Sequence, residues 1–281
     1  MNRTMITATN TMSQLQLKLD LISNNMANIN TTGFKSKEGT FSQLLYQQFD
    51  NQPLEQKEKG RLTPDGIRLG VGAYLGMVKL NLAQGSLKTT DRELDVALTK
   101  PDLFFKVQPG DSNENTVQYT RDGTFYLSPS SNAEDQFNLV TANGDYILNQ
   151  LNEPIVISGQ VNNISISEEG TLLVNTNNGN QQFDLGVISV KNPQYMERKS
   201  GNLLALTNNF AALGINEGDI YTDLVGMNRQ NISMTQGALE SSNVDMSKEM
   251  TELINTQRQY QFQSRSVTLA DQMMGLINGV R

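Results

Sequence analysis

The 281 residues carry a formal net charge of −7, a pI near 4.8 and a mean hydropathy of −0.43: enough chain for a sizeable core, and the wrong sign for a nucleic-acid partner. Histidine and cysteine are both absent. That inventory excludes His/Cys zinc sites, Ser-His-Asp triads, cysteine nucleophiles and cysteine-held clusters, so catalysis would fall to Asp, Glu, Lys, Tyr or Ser, and no cofactor is implied.

From the N-terminus, apolar residues recur at Met5, Ala8, Met12, Leu15, Leu19, Ile22, Met26 and Ile29, in alternating steps of three and four. This is the seam spacing of a coiled coil, and it predicts a helix over 4–29 that needs a helical partner. Ile6, Leu17 and Leu21 widen the apolar surface beyond a two-stranded seam. Polar residues interrupt every apolar step, so the start does not read as a cleaved secretory signal, and no run reaches the roughly 18 apolar residues of a membrane span. The chain is expected either to stay in the cytoplasm or to leave by a route without a cleaved peptide.

Asn30-Thr31-Thr32-Gly33 predicts the helix stop, with Gly33 in the left-handed conformation. Phe41, Leu44, Leu45 and Phe49 predict a short helix. Residues 53–72, rich in charge and glycine, read as loop-rich linker. From Tyr74 the period becomes two, predicting strands at 74–82, 93–98, 103–108, 117–121, 124–128, 138–141, 145–149, 154–158, 163–167, 171–175, 183–190 and 203–207. Asp122-Gly123, Asn143-Gly144, Glu169-Gly170 and Asn178-Gly179 supply the turns. Short strands without intervening helical periods predict an all-β body, barrel-like or sandwich-like, and argue against a βαβ nucleotide fold.

After Gly214 the chain returns to a final helix over 245–277, with Asn243 or Asp245 as its N-cap. Met246, Leu253, Tyr260, Val267 and Met274 recur every seven residues, with Met250, Gln257, Ser264 and Asp271 as the companion row. Phe262, Leu269, Met273 and Leu276 form a second stripe, suited to neighbouring molecules. The expected architecture is a mainly β body with an α-helical terminal module. In it, 1–30 pairs with 245–281 as a coiled coil, 31–73 and 214–244 connect, and 74–213 is the central β domain.

Carboxylates at Asp91/Glu93/Asp95 and at Glu168-Glu169 are the candidates for a glycan hydrolase, which needs two acids flanking a bond. Nothing in the sequence places them in a cleft, and Glu168-Glu169-Gly170 reads as a hairpin turn. Asp111-x-Asn113-x-Asn115 imitates a calcium loop, but Thr116 and Asp122 stand where glycine and glutamate belong. Catalytic and metal-binding residues are therefore expected to be absent.

Two signatures are more specific. Ser23-Asn24-Asn25-x-Ala27-Asn28-x-Asn30-Thr31-Thr32-Gly33-Phe34-Lys35 resembles the N-terminal signature of the bacterial flagellar axial proteins: rod, hook and hook-associated. Gln236-Gly237-Ala238-Leu239-Glu240-Ser241-Ser242-Asn243-Val244-Asp245, followed by Gln257-Arg258-x-Tyr260-Gln261, is similar to their C-terminal signature. Leu94-Asp95-Val96-Ala97-Leu98, Phe104-Phe105-x-Val107 and Tyr119-Thr120-Arg121-Asp122-Gly123-Thr124-Phe125 resemble their β domain, whereas Thr99-Lys100-Pro101-Asp102 stands where the family commonly has a glycine-containing turn. The length resembles that of rod proteins, distal or proximal; a hook or hook-junction subunit is the alternative, and a cell-wall hydrolase on the same scaffold a more distant one.

The resemblance implies a self-assembling, torque-transmitting structural subunit of the flagellar basal body, exported through the type III apparatus without cleavage. Its partners would be copies of itself in a helical polymer, neighbouring rod and hook proteins, and the export apparatus. Met5, Met12, Leu15, Leu19, Ile22, Met26, Ile29, Met246, Met250, Leu253, Tyr260, Val267 and Met274 are the expected subunit contacts.

Overall fold

The computed structural model describes residues 2–43, 47–49, 67–69, 72–110, 116–130, 135–207 and 214–279. The chain divides into two compact units: Met1–Met26, Lys37–Val78 and Met246–Arg281 form the first, and Ala27–Ser36 with Lys79–Asp245 the second.

Two long helices dominate the first unit, Asn2–Ala27 and Met246–Gly279. The N-terminal helix buries the predicted seam: Ala8, Leu15 and Ile22 are buried, and Met5, Met12, Leu19 and Met26 half-buried, while Ile6 and Leu17 face outward. It runs antiparallel to the C-terminal helix. Asn25 Nδ2 donates to Glu249 Oε1 at 3.1 Å, Lys18 pairs with Glu252 at 3.1 Å, and Gln16 meets Tyr260 Oη at 3.3 Å.

On the C-terminal helix the inward rows are Leu253, Tyr260, Val267 and Met274, half-buried, and Glu249, Thr256, Gln263 and Ala270, mostly buried. The companion row thus lies three residues on from the first and not four on, at Met250, Gln257, Ser264 and Asp271, as the spacing suggests. Met246, Met250, Gln257, Ser264 and Asp271 are exposed. An interval of seven fits either offset on a 3.6-residue turn. The row that faces inward is small or polar, so hydrophobicity alone could not select it.

Strand Lys37–Gln43 pairs with Ala73–Leu80, and Gln47–Phe49 with Ile67–Leu69. The short helix expected near 41–49 is therefore β structure on its described residues; cross-strand pairing outweighs a weak local helical pattern. Leu44, Leu45 and most of the 53–72 linker lie outside the described residues.

In the second unit, ten strands form one sheet. Its main path runs Val156–Ser158, Gln136–Thr141, Tyr146–Ile147, Leu103–Gln108, Gln118–Thr120, Leu203–Leu206 and Met196–Ser200. Val187–Val190 adds to Leu103–Gln108 and carries Tyr221–Asp223, and Phe125–Pro129 adds to Gln136–Thr141. A three-stranded meander, Val161–Ile166, Thr171–Thr176 and Gly179–Asp184, is built from two hairpins. Strand Leu103–Gln108 is buried on both faces. Leu103, Phe105 and Val107 join Phe125, Leu139, Ile147, Ile157, Leu172 and Leu185 in the main core, while Phe104 joins Tyr119, Ile188, Leu204 and Ile220 in a second one.

Three of the four turn signals close hairpins; Asp122-Gly123 does not. Gln118–Thr120 and Phe125–Pro129 pair with different strands. Gly123 instead passes the backbone at Val96, where an added Cβ would sit 1.7 Å from the carbonyl oxygen. The expected strand 183–190 is split at Leu185-Gly186, where a Cβ added to Gly186 would sit 2.6 Å from the Asn149 carbonyl oxygen. Within the expected connecting stretch 214–244, Ile220, Leu224, Ile232 and Met234 are buried in the cores of this unit.

Candidate functional site

The N-terminal helix ends at Ala27, and two successive turns follow, Thr31 N donating to Asn28 O and Phe34 N to Thr31 O. Gly33 takes a φ of +67°, as its sequence context suggests, but six residues beyond the helix. A Cβ there would lie 2.5 Å from the Arg121 carbonyl carbon and 2.7 Å from Asp122 N. Glycine is required both for the backbone angle and for the close approach. Gly33 N donates to Glu240 O at 2.8 Å, which joins the N-terminal signature to the C-terminal one.

The C-terminal signature arrives as two short strands, Met234–Gln236 paired with Val96–Leu98 and Ala238–Glu240 paired with Leu87–Thr89. Gly237, at a φ of +71°, makes the corner between them; its N–H donates to Asp95 O and its carbonyl accepts from Thr90 N. This register delivers Glu240 to a site where its side chain is 2% exposed. Oε1 accepts from Lys35 Nζ at 2.8 Å and from Gly85 N at 2.7 Å, and Oε2 accepts from Arg121 Nε at 2.6 Å.

Around that carboxylate, each cation has further acceptors. Lys35 Nζ also donates to Ala83 O at 2.8 Å and approaches Leu82 O. The Arg121 guanidinium donates to the carbonyls of Lys100, Pro101, Leu103 and Leu98, so the Thr99-Lys100-Pro101-Asp102 turn serves as its cradle. Burial, and next the neighbouring Arg121 charge, push the Lys35 ammonium down to about 8; the bond to Glu240 opposes that shift. Burial likewise lowers Arg121, again against Glu240.

Asn243 completes the junction. Its Oδ1 accepts from Ser36 N at 2.7 Å, its Nδ2 donates to Asn81 O and Ala83 O at 2.9 Å each, and its N–H reaches Phe34 O. The side chain of Asn243, one of the two expected caps of the last helix, is thus spent on two other segments, at Ser36 and at 81–83. Arg198 lies 4.2 Å from the Phe34 ring centroid and donates to Lys35 O, and Asn202 Nδ2 bridges Thr32 O and Asp122 Oδ2. Arg198 and Asn202 carry no motif of their own; only the fold reveals them.

The remaining signature residues divide between the two units. Asn25 is buried in the first unit, where it accepts from Lys37 N and donates to Lys37 O and Glu249. Asn24, Ala27, Asn30 and Asp245 are exposed, Asn28, Ile29 and Thr32 half-buried, and Val244 buried.

The carboxylate candidates fall elsewhere. Asp95 is buried and paired with Arg92 at 3.3 Å; Asp91 and Glu93 border an open depression with Gln236. Glu168 and Glu169 form the expected hairpin turn, with their carbonyls accepting from Met234 N and Arg229. The calcium-like 111–115 lies outside the described residues. Among the described residues no three acidic groups are placed to hold a metal, and no helix is long and apolar enough to cross a membrane.

The arrangement is thus a buried charged cluster, closed on all sides by protein, that fastens residues 33–36 to residues 237–243.

Comparison with known proteins bears on the same segments. Residues 5–35 match the family profile described as flagella basal body rod protein, 102–174 that of the flagellar hook protein FlgE/F/G D1 domain, and 235–280 that of the flagellar basal body rod FlgEFG protein C-terminal region. The flagellar hook-basal body complex protein FlhP of Bacillus subtilis is 44% identical over 283 residues, covering 100% of both chains. The flagellar basal-body rod protein FlgG of Borreliella burgdorferi is 33% identical over 100% of this chain and 99% of its own. FlgG of Bacillus subtilis is 28% identical over 98% and 97%.

Proposed function

We propose the function of this chain from one premise: it belongs to the family of flagellar basal-body rod proteins. It is a structural subunit of the bacterial basal-body rod, and its work is assembly. The observation that carries this reading is collinearity. Three rod and hook profiles match in chain order, and relatives with rod names match from end to end.

In this reading the two long helices form the polymerising module, pairing as a coiled coil within a subunit and contacting further copies outside it. The inward seam is Leu15, Leu19 and Ile22 against Leu253, Tyr260 and Val267, with Met5, Met12, Met26 and Met274 at its margins; Ile29, expected in the seam, lies past the helix end at Ala27. Met246 and Met250, exposed on the same helix, serve contacts between subunits together with Phe262, Leu269 and Leu276, also exposed. Such a stripe is costly in water, and burying it adds roughly 25 cal/mol per Å². The β body, 74–213, gives the subunit bulk, and the buried junction holds the two signature segments together.

The partners are copies of the chain, adjoining rod and hook proteins and the type III export machinery. The location is the basal body, reached without cleavage of a signal peptide. The protein acts without catalysis or cofactor. Full-length protein concentrated in vitro is expected to form filaments by negative-stain electron microscopy, and a variant lacking residues 1–30 to remain monomeric with its β body folded. Filaments formed by that variant would remove the helices from the assembly mechanism.

A further inference from the structure

The bonds that fix residues 31–36 are unequally distributed. Gly33 N ends on the main-chain carbonyl of Glu240 and Lys35 Nζ on its carboxylate, while Ser36 N and Phe34 O end on Asn243; Asn81, Ala83, Arg198 and Asn202 each add a single bond from elsewhere. The returning strand does not depend on them in the same way. It is held by its own pairs, Met234–Gln236 on Val96–Leu98 and Ala238–Glu240 on Leu87–Thr89, by Gly237 N to Asp95 O and by Ser241 N to Ser86 O. Glu240 retains Arg121 and Gly85 N as partners whether or not Lys35 is present.

Removal of the carboxylate has the opposite consequence. Lys35 and Arg121, respectively 3% and 1% exposed, would face each other without the anion between them. Stranding one member of a buried charge pair is far more costly than omitting the pair. Residues 31–36 would be the cheaper part to release, because they join no strand and their remaining anchors are single contacts: Asn81 N on Ser36 O, Arg198 on Lys35 O, Asn202 on Thr32 O, Ser36 N on Asn243 and the Arg198–Phe34 stack.

We infer that this junction is a one-way latch: the N-terminal signature becomes ordered only after residues 238–243 have taken their place, whereas those residues hold without it. A chain is made from its N-terminus, and 205 positions separate Lys35 from Glu240. Segment 31–36 therefore stays open until the C-terminal signature exists. The inference deepens the assembly reading, but it concerns the isolated chain and stands or falls without a polymer.

The test is residue-resolved amide exchange on the full chain. In Glu240→Gln the carboxamide turns a donor toward donors, so Gly33 and Ser36 are expected to exchange at least about tenfold faster, with Leu172 and Val174 in the meander unchanged. In Lys35→Met, Gly237, Ser241 and Thr90 are expected to stay as protected as in the parent. Protection of Gly33 and Ser36 retained in Glu240→Gln would overturn the latch, and so would release of Gly237 and Ser241 by Lys35→Met, which would make the coupling symmetric. If Glu240→Gln does not fold, Asn243→Ala decides: faster exchange at Gly33, whose own acceptor is left in place, supports the latch, and faster exchange confined to Ser36, or unchanged exchange, contradicts it.

Discussion

Gly33 and Lys35 show how much of the junction rests on single side chains. Gly33→Ala must accommodate both a left-handed backbone and a Cβ against the Arg121 main chain. A loss of about 2–4 kcal/mol is expected from denaturant midpoints, and a loss below about 0.5 kcal/mol would mean the approach is looser than described. Lys35 carries a pH signature. Its folded value of about 8 lies below the ordinary 10.5, lowered by burial and by Arg121. Below pH 8 both folded and unfolded chains hold the proton, so this contribution is flat. Between about 8 and 10.5 the unfolded chain holds more protons, and stability rises with pH. The parent should therefore gain on Lys35→Met between roughly neutral pH and pH 10; a difference that stays level or falls contradicts the assignment.

At this scale the sequence disclosed the participants better than the contacts. Gly33, Lys35, Glu240 and Asn243 all lie in the two signatures, but no local pattern says that a lysine at 35 meets a glutamate at 240. Arg121 stands in a β-domain match that reads as a turn, and Arg198 and Asn202 had no signal. Contacts of such sequence separation are written in the topology, which sets Leu87–Thr89 and Val96–Leu98 beside the returning strands.

Among the elements, legibility followed length and hydrophobicity. The N-terminal seam could be read because its inward row is apolar, and strand Leu103–Gln108 because every residue of it is apolar or flanked by apolar ones. The strands Leu87–Thr89, Met234–Gln236 and Ala238–Glu240 are three residues each and have no period to detect. The inward row of the last helix was hidden because Glu249, Thr256, Gln263 and Ala270 are small or polar. That row makes a prediction: Ala270→Leu overpacks a buried position and should cost about 1–3 kcal/mol in thermal or denaturant unfolding of the helical module. Phe262→Ser, on the exposed stripe, should change monomer stability by less than about 0.5 kcal/mol and yet slow filament growth in sedimentation assays. A monomer destabilised by Phe262→Ser would place that face inside the subunit.

For the whole molecule, the two signatures at opposite ends of the chain close one buried cluster, and the long helices flank the sequence that forms it. In the proposed reading the ends do the assembling and the middle gives bulk and stiffness. The most direct test is electron microscopy of basal bodies from a strain of the source bacterium lacking this chain. A rod subunit predicts basal bodies whose rod is truncated and bears no hook, restored by the full chain and not by one lacking residues 1–30. Basal bodies with a complete rod, whether bare or carrying a hook, would contradict the account.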